Sequence, residues 1–155
     1  MNVGHESGRM EILANRGIGR RRESSVTDPT ASFAGQRAEW LPTVVTRLRT
    51  LAQLEEGWDG RNARRISPAN LDIAMRLLRA VMRTDTPIPE LVPTVRGGLQ
   101  IEWHVQDVDV ELEILSAARY VLSLEDRAND NEFDLELTAD LSPLVAAIKR
   151  ISPSR

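Results

Sequence analysis

The chain has 155 residues, of which 41% are hydrophobic and 28% charged, with a formal net charge of −3, two histidines and no cysteine. Those totals suit one domain with an ordinary core and exclude disulfides, thiol nucleophiles and cysteine-based zinc sites; no apolar run approaches the roughly 20 residues that span a bilayer. The opening residues Met1-Asn2-Val3-Gly4-His5-Glu6 lack the basic and apolar regions of a secretory leader, so a cytoplasmic location is expected.

Residues 1–35 mix Gly, Ser, Arg and Asn with scattered apolar residues and show no sustained period. They read as a mobile arm ahead of a single α+β domain over residues 36–155. Within the arm, Glu11-Ile12-Leu13-Ala14 offers one short helical turn and Arg20-Arg21-Arg22 a small basic cluster.

From Trp40 onward, Leu41, Val44, Val45, Leu48, Leu51 and Leu54 recur at three- and four-residue steps. This spacing predicts a helix over residues 41–56, with Pro42 in its first turn and Gly57 in the left-handed position that closes it. Asp59-Gly60 is a turn pair, and Trp58, between two glycines, has a ring large enough to anchor this corner in the core. Ser67-Pro68 then supplies an N-cap and a proline at the first helical position of a second helix over residues 68–83. Leu71, Ile73, Ala74, Met75, Leu77, Leu78, Val81 and Met82 surround most of that helix, leaving Asp72, Arg76, Arg79 and Arg83 as a polar stripe. It should be buried on more than one side, between the first helix and a sheet or against a second copy of the chain.

Thr86-Pro87-Ile88-Pro89 cannot continue a helix, residues 91–95 suit a short edge strand because of Pro93, and Arg96-Gly97-Gly98 turns. Leu99, Ile101, Trp103 and Val105 then alternate with polar residues, as do Val108, Val110, Leu112 and Ile114. With Gln106 and Asp107 as the turn, Trp103 pairs with Val110 and Ile101 with Leu112 on the core side. His104 then faces Asp109, and Glu102 faces Glu111, on the outside. A third strand is expected over residues 119–124 and a polar loop over 125–131. Phe133, Leu135 and Leu137 next alternate with Asp134 and Glu136, and a second Ser-Pro pair, Ser142-Pro143, opens a helix that buries Leu144, Val145, Ile148 and Ile151. The predicted fold is α+β: two N-terminal helices, an antiparallel meander of four or five strands, and a C-terminal helix on one sheet face.

Charge is segregated along the chain. One face of the sheet gathers Glu102, His104, Asp109, Glu111, Glu113, Asp134 and Glu136, and carboxylates directly opposed across strands are unfavourable unless something compensates them. Solvent, a protein partner with a basic surface, or a divalent cation held by carboxylates and His104 would each do so. Arg61, Arg64, Arg65, Arg76, Arg79 and Arg83 form the opposite pole, either a solvated face or a binding surface for DNA. No catalytic set stands out. There is no Gly-x-Ser-x-Gly, and Arg96-Gly97-Gly98 leads into a strand where a phosphate-binding loop would lead into a helix. Aromatic residues make up 4% of the chain, too few to favour base stacking, and Trp103 reads as core.

Gly57-Trp58-Asp59-Gly60 with Ala63 and Ser67-Pro68, followed by a proline-rich link and Gly97-Gly98-Leu99-Gln100-Ile101-Glu102-Trp103, resembles a loosely defined group of uncharacterised bacterial proteins. That group is often associated with phages, plasmids and other mobile elements. The likeness runs over residues 48–114; Asn62-Ala63 departs from the group's Gly-Ala, and the N-terminal arm is not part of it. It implies a shared fold and a mobile-element setting, where small inhibitors and antitoxins are common, and it carries no catalytic residue and no cofactor. The expected function is non-enzymatic: a protein-binding module that uses the acidic sheet face and the arm. The rivals are a metal-dependent hydrolase or nuclease built on Glu102, His104, Glu111 and Glu113, and DNA binding through the arginines. The apolar second helix also allows a homodimer.

Overall fold

The structure, a computed structural model, describes residues 39–153. The arm expected over residues 1–35 lies outside them. Five strands, β1 (Glu90–Pro93), β2 (Leu99–Val105), β3 (Val108–Ser116), β4 (Arg119–Asp126) and β5 (Asn131–Leu137), form one antiparallel sheet in chain order. The helices α1 (Trp40–Leu51), α2 (Pro68–Val81) and α3 (Ser142–Ile151) complete an α+β architecture. Among the described residues, no helix is long and apolar enough to cross a membrane.

The β2–β3 register is the one the alternation predicts. Trp103 pairs with Val110, Ile101 with Leu112, Glu102 with Glu111 and His104 with Asp109, while Gln106 takes the turn at a φ of 54°. A one-residue slip would turn Leu99, Ile101 and Trp103 out to solvent; these side chains are buried, at about 2 kcal/mol or more each, and that fixes the register. Leu122 and Leu124 of β4 and Leu137 of β5 extend the same inner face.

The helices lie on that inner face as one layer: α1 over β1, α2 over β2 and β3, and α3 against β3 and α2. The apolar girth of α2 follows from this central place, since it packs directly on the sheet with α3 at its flank. Asn70, Ile73, Ala74, Leu77, Leu78 and Val81 are buried, and Leu71 and Met75 are half-buried. No second copy is needed to explain them.

Several sequence expectations need correction. The first helix ends at Leu51, not at residue 56, because Ala52 N–H closes on Leu48 O and the chain then leaves through turns at Gln53 and Leu54. Gly57 does adopt a positive φ of 76°, yet it serves the following loop, donating to Ala63 O at 2.7 Å. Trp58 is only half-buried. It acts as a strut in that loop, with Nε1 donating to Arg64 O at 3.1 Å. Ser67 occupies the N-cap of α2 without a side-chain cap hydrogen bond, and the helix stops at Val81. The last helix does not repeat this arrangement. Asp140 Oδ1 accepts the Ser142 N–H at 2.9 Å, Val145 is exposed, and Ala147 takes the buried position. The strand expected over residues 119–124, β4, runs on to Asp126, whose buried carboxylate accepts N–H bonds from Ala128 and Asn129 and pairs with Arg150 of α3.

The loop between α1 and α2 is fastened to the β1–β2 turn. Asp59 Oδ1 accepts the N–H groups of Arg61 and Ala63 at 2.9 and 3.1 Å. Arg64 N–H donates to Val95 O, and Gly97 O receives both Ser67 N–H and Asn70 Nδ2. Gly97 has a φ of 82°, and a Cβ there would stand 2.8 Å from Arg65 O, so only glycine fits this contact.

Candidate functional site: the acidic face of the sheet

Because alternate residues share a face, the strand ladders assemble the outer surface row by row. One row runs Glu90, Glu102, Glu111, Ser123, Asp134; the next runs His104, Asp109, Glu125, Glu132; a third runs Gln100, Glu113, Val121, Glu136. All seven residues singled out from the sequence therefore stand on one face. Ser123 and Val121 of β4 separate the β3 carboxylates from Asp134 and Glu136 on β5.

The face carries internal compensation at one corner. His104 Nδ1 lies 2.8 Å from Asp109 Oδ1 and its Nε2 lies 3.2 Å from Glu102 Oε2, so the ring bridges two carboxylates. Those hydrogen bonds, to Asp109 first and Glu102 second, raise the His104 pKa. In return His104, followed by Arg127, holds Asp109 below its ordinary value. Arg127 reaches Asp109 from the β4–β5 turn and stands 3.8 Å from Glu125, while Arg119 Nε donates to Glu136 at 3.2 Å.

Among the described residues, no cation reaches Glu111 or Glu113 at the centre of the face. Glu111 is half-buried, and its pKa is raised first by burial and then by Glu102, Glu113 and Asp134; the hydrogen bond from Gln100 Nε2 at 2.6 Å opposes the rise only in part. Around it His104, Asp109, Ser123, Glu125, Glu132 and Asp134 rim a shallow hollow of about 140 Å³. Among the described residues, no group of three or more His, Asp or Glu is arranged to hold a metal ion. The carboxylates spread along rows where a cation would need them to converge.

Glu125 and Glu132 join this face, although Glu125 opens the polar run that reads in sequence as a loop over residues 125–131. Their signal was available in the extra length of β4, which Asp126 hides by looking like a loop residue. Arg127 was missed because it reaches the face from a turn.

The arginines of the opposite pole are divided. Arg64 and Arg65 line a hollow of about 400 Å³ with Arg96, Ser67, Asn70 and Glu56. Arg76 borders a separate, largely apolar hollow beside Tyr120 and Leu141, and Arg83, beyond the end of α2, pairs with Asp85 at 3.7 Å. Arg61 and Arg79 are exposed. Of the residues read as structural, Trp103 is in the core, with Nε1 donating to Pro87 O at 3.0 Å, while Gly57, Trp58, Asp59 and Gly60 form the α1–α2 loop.

Compared with models of known protein families, with curated proteins and with solved structures, the chain matches none.

Proposed function

We propose that the chain is a non-enzymatic protein-binding module of the inhibitor, antitoxin or accessory-subunit kind, which docks a basic partner on the acidic face of its sheet with residues 1–35 as an auxiliary arm. The observation that carries this reading is the excess of carboxylates at the centre of the face, where Glu111 and Glu113 adjoin Glu102 and, among the described residues, the bonds to this trio come from Gln100 to Glu111 and from His104 to Glu102. A cationic partner would relieve that repulsion and restore the ordinary ionisation of Glu111. The resemblance to mobile-element proteins is consistent with such a role. The metal-dependent hydrolase is less favoured, since the same residues do not converge on a point.

The test is affinity capture of the tagged full chain from its host, with identification of what is retained. A stoichiometric basic partner is expected, lost in high salt and lost from the Glu111→Gln, Glu113→Gln double variant. A partner retained equally by that variant would refute the reading. A second reading, duplex DNA binding, draws on Arg64, Arg65 and Arg96 around one hollow. It requires salt-dependent retention of the chain on duplex DNA that Arg64→Gln weakens.

A further inference from the structure

The two sides of β5 do not match. It is one of the two edge strands of the sheet, seven residues long, and every residue from 131 to 136 is exposed. Its odd positions point to the helix side: Phe133 and Leu135 pair with the buried Leu124 and Leu122, yet are themselves 37% and 40% exposed, since the helices among the described residues rest chiefly on β1, β2 and β3. Its even positions, Glu132, Asp134 and Glu136, point to the acidic side. Alternate residues of an edge strand also direct N–H and C=O groups outward, and among the described residues no further strand receives them.

We infer that β5 is a docking line for β-strand addition, and that its occupant is an extended partner segment in which apolar residues alternate with lysine or arginine. Resting on the protein-binding reading above, this names the partner's chemistry and its point of attachment. The charge pattern selects the occupant. A second copy of β5, paired antiparallel so that the apolar faces coincide, would put acidic residues opposite acidic ones in every register, as with Asp134 opposite itself or Glu132 opposite Glu136. Such pairs are destabilising. A cationic amphipathic strand places apolar side chains against Phe133 and Leu135 and cations against Glu132, Asp134 and Glu136, while its backbone completes the ladder.

The probe is a synthetic seven-residue peptide in which lysine alternates with valine, against a control of the same composition with lysines and valines in separate blocks. Titrated into the full chain, the alternating peptide should bind about tenfold more tightly than the block peptide, with salt-sensitive affinity. Amide exchange should slow within residues 131–137. Equal binding of the two peptides, or protection confined to another region, would overturn the inference. So would a chain that is already dimeric through β5, shown by light scattering and by loss of the dimer on Phe133→Lys, Leu135→Lys substitution.

That exposed-face double variant should fold normally, as circular dichroism would show, and should lose the alternating peptide. The native partner separates this inference from the broader reading. If capture is lost on Glu111→Gln, Glu113→Gln but retained on Phe133→Lys, Leu135→Lys, the acidic face binds and β5 does not. If capture is unchanged by either, both fail.

Discussion

The two edges of the sheet are opposites. β1 is four residues long, contains Pro93, lies under α1, and has the Leu91 carbonyl occupied by Arg47 Nε at 3.0 Å. β5 is nearly twice as long, contains no proline and, among the described residues, carries no helix over Phe133 and Leu135. Proteins commonly blunt an edge with the devices seen at β1. Their concentration at one edge and their absence at the other mark β1 as closed structure and β5 as available surface.

The comparison is broken most directly by trimming equivalent inner-face leucines. Leu91→Ala should lower unfolding free energy by about 3 kcal/mol, whereas Leu135→Ala should cost under about 1 kcal/mol, both read from urea denaturation. Near-equal values would show that β5 is packed as firmly as β1. Next in size, Asp126→Ala should cost about 1–3 kcal/mol, because it strands the Ala128 N–H of the β4–β5 turn, leaves Asn129 N–H with only the Asp126 backbone carbonyl, and removes the partner of Arg150. Exchange should accelerate first in residues 127–131. On the β1 side, Gly97→Ala forces a Cβ against Arg65 O at a positive φ and should cost about 1–3 kcal/mol, loosening residues 64–70 while leaving β5 unaffected.

Smaller effects concern the charges between the edges. Glu111 has a raised pKa in the folded chain, so it favours folding when protonated, and that contribution is lost as pH rises through the folded value. Glu111→Gln should therefore raise Tm at neutral pH and flatten its decline between mildly acidic and neutral conditions; a lower Tm at neutral pH would contradict the account. His104 is also raised, so its bridge to Asp109 and Glu102 helps below the unfolded-state pKa and fades as pH rises through the folded one. His104→Gln should remove only that shallow slope near and above neutrality, a small change because the side chain is exposed.

Much of this was legible in the sequence. Strict alternation from Leu99 to Ile114 dictated the hairpin, its turn and its cross-strand partners, because period 2 leaves one register that buries Trp103. The same logic put Glu102, His104, Asp109, Glu111 and Glu113 together. Helix ends were less legible: Leu54 continued the apolar period of α1, but the period reports a face and not the point where the backbone departs from it. Phe133 and Leu135 show the converse limit. Their alternation placed them on the inner side correctly, while their exposure depends on where α3 lies, and nothing within β5 encodes that. Arg127 joined the site through a turn, where no periodicity operates.

Strand order equal to chain order has a kinetic side. Each ladder is closed by a short connection, so the whole meander can zip from neighbouring hairpins with little loop-closure entropy. The long-range fastening of residues 64–70 onto the turn at Gly97 has no partner until β1 and β2 have met. The sheet should thus form early and the α1–α2 loop should lock late. During synthesis α1 and α2 emerge first and wait for the strands that hold them.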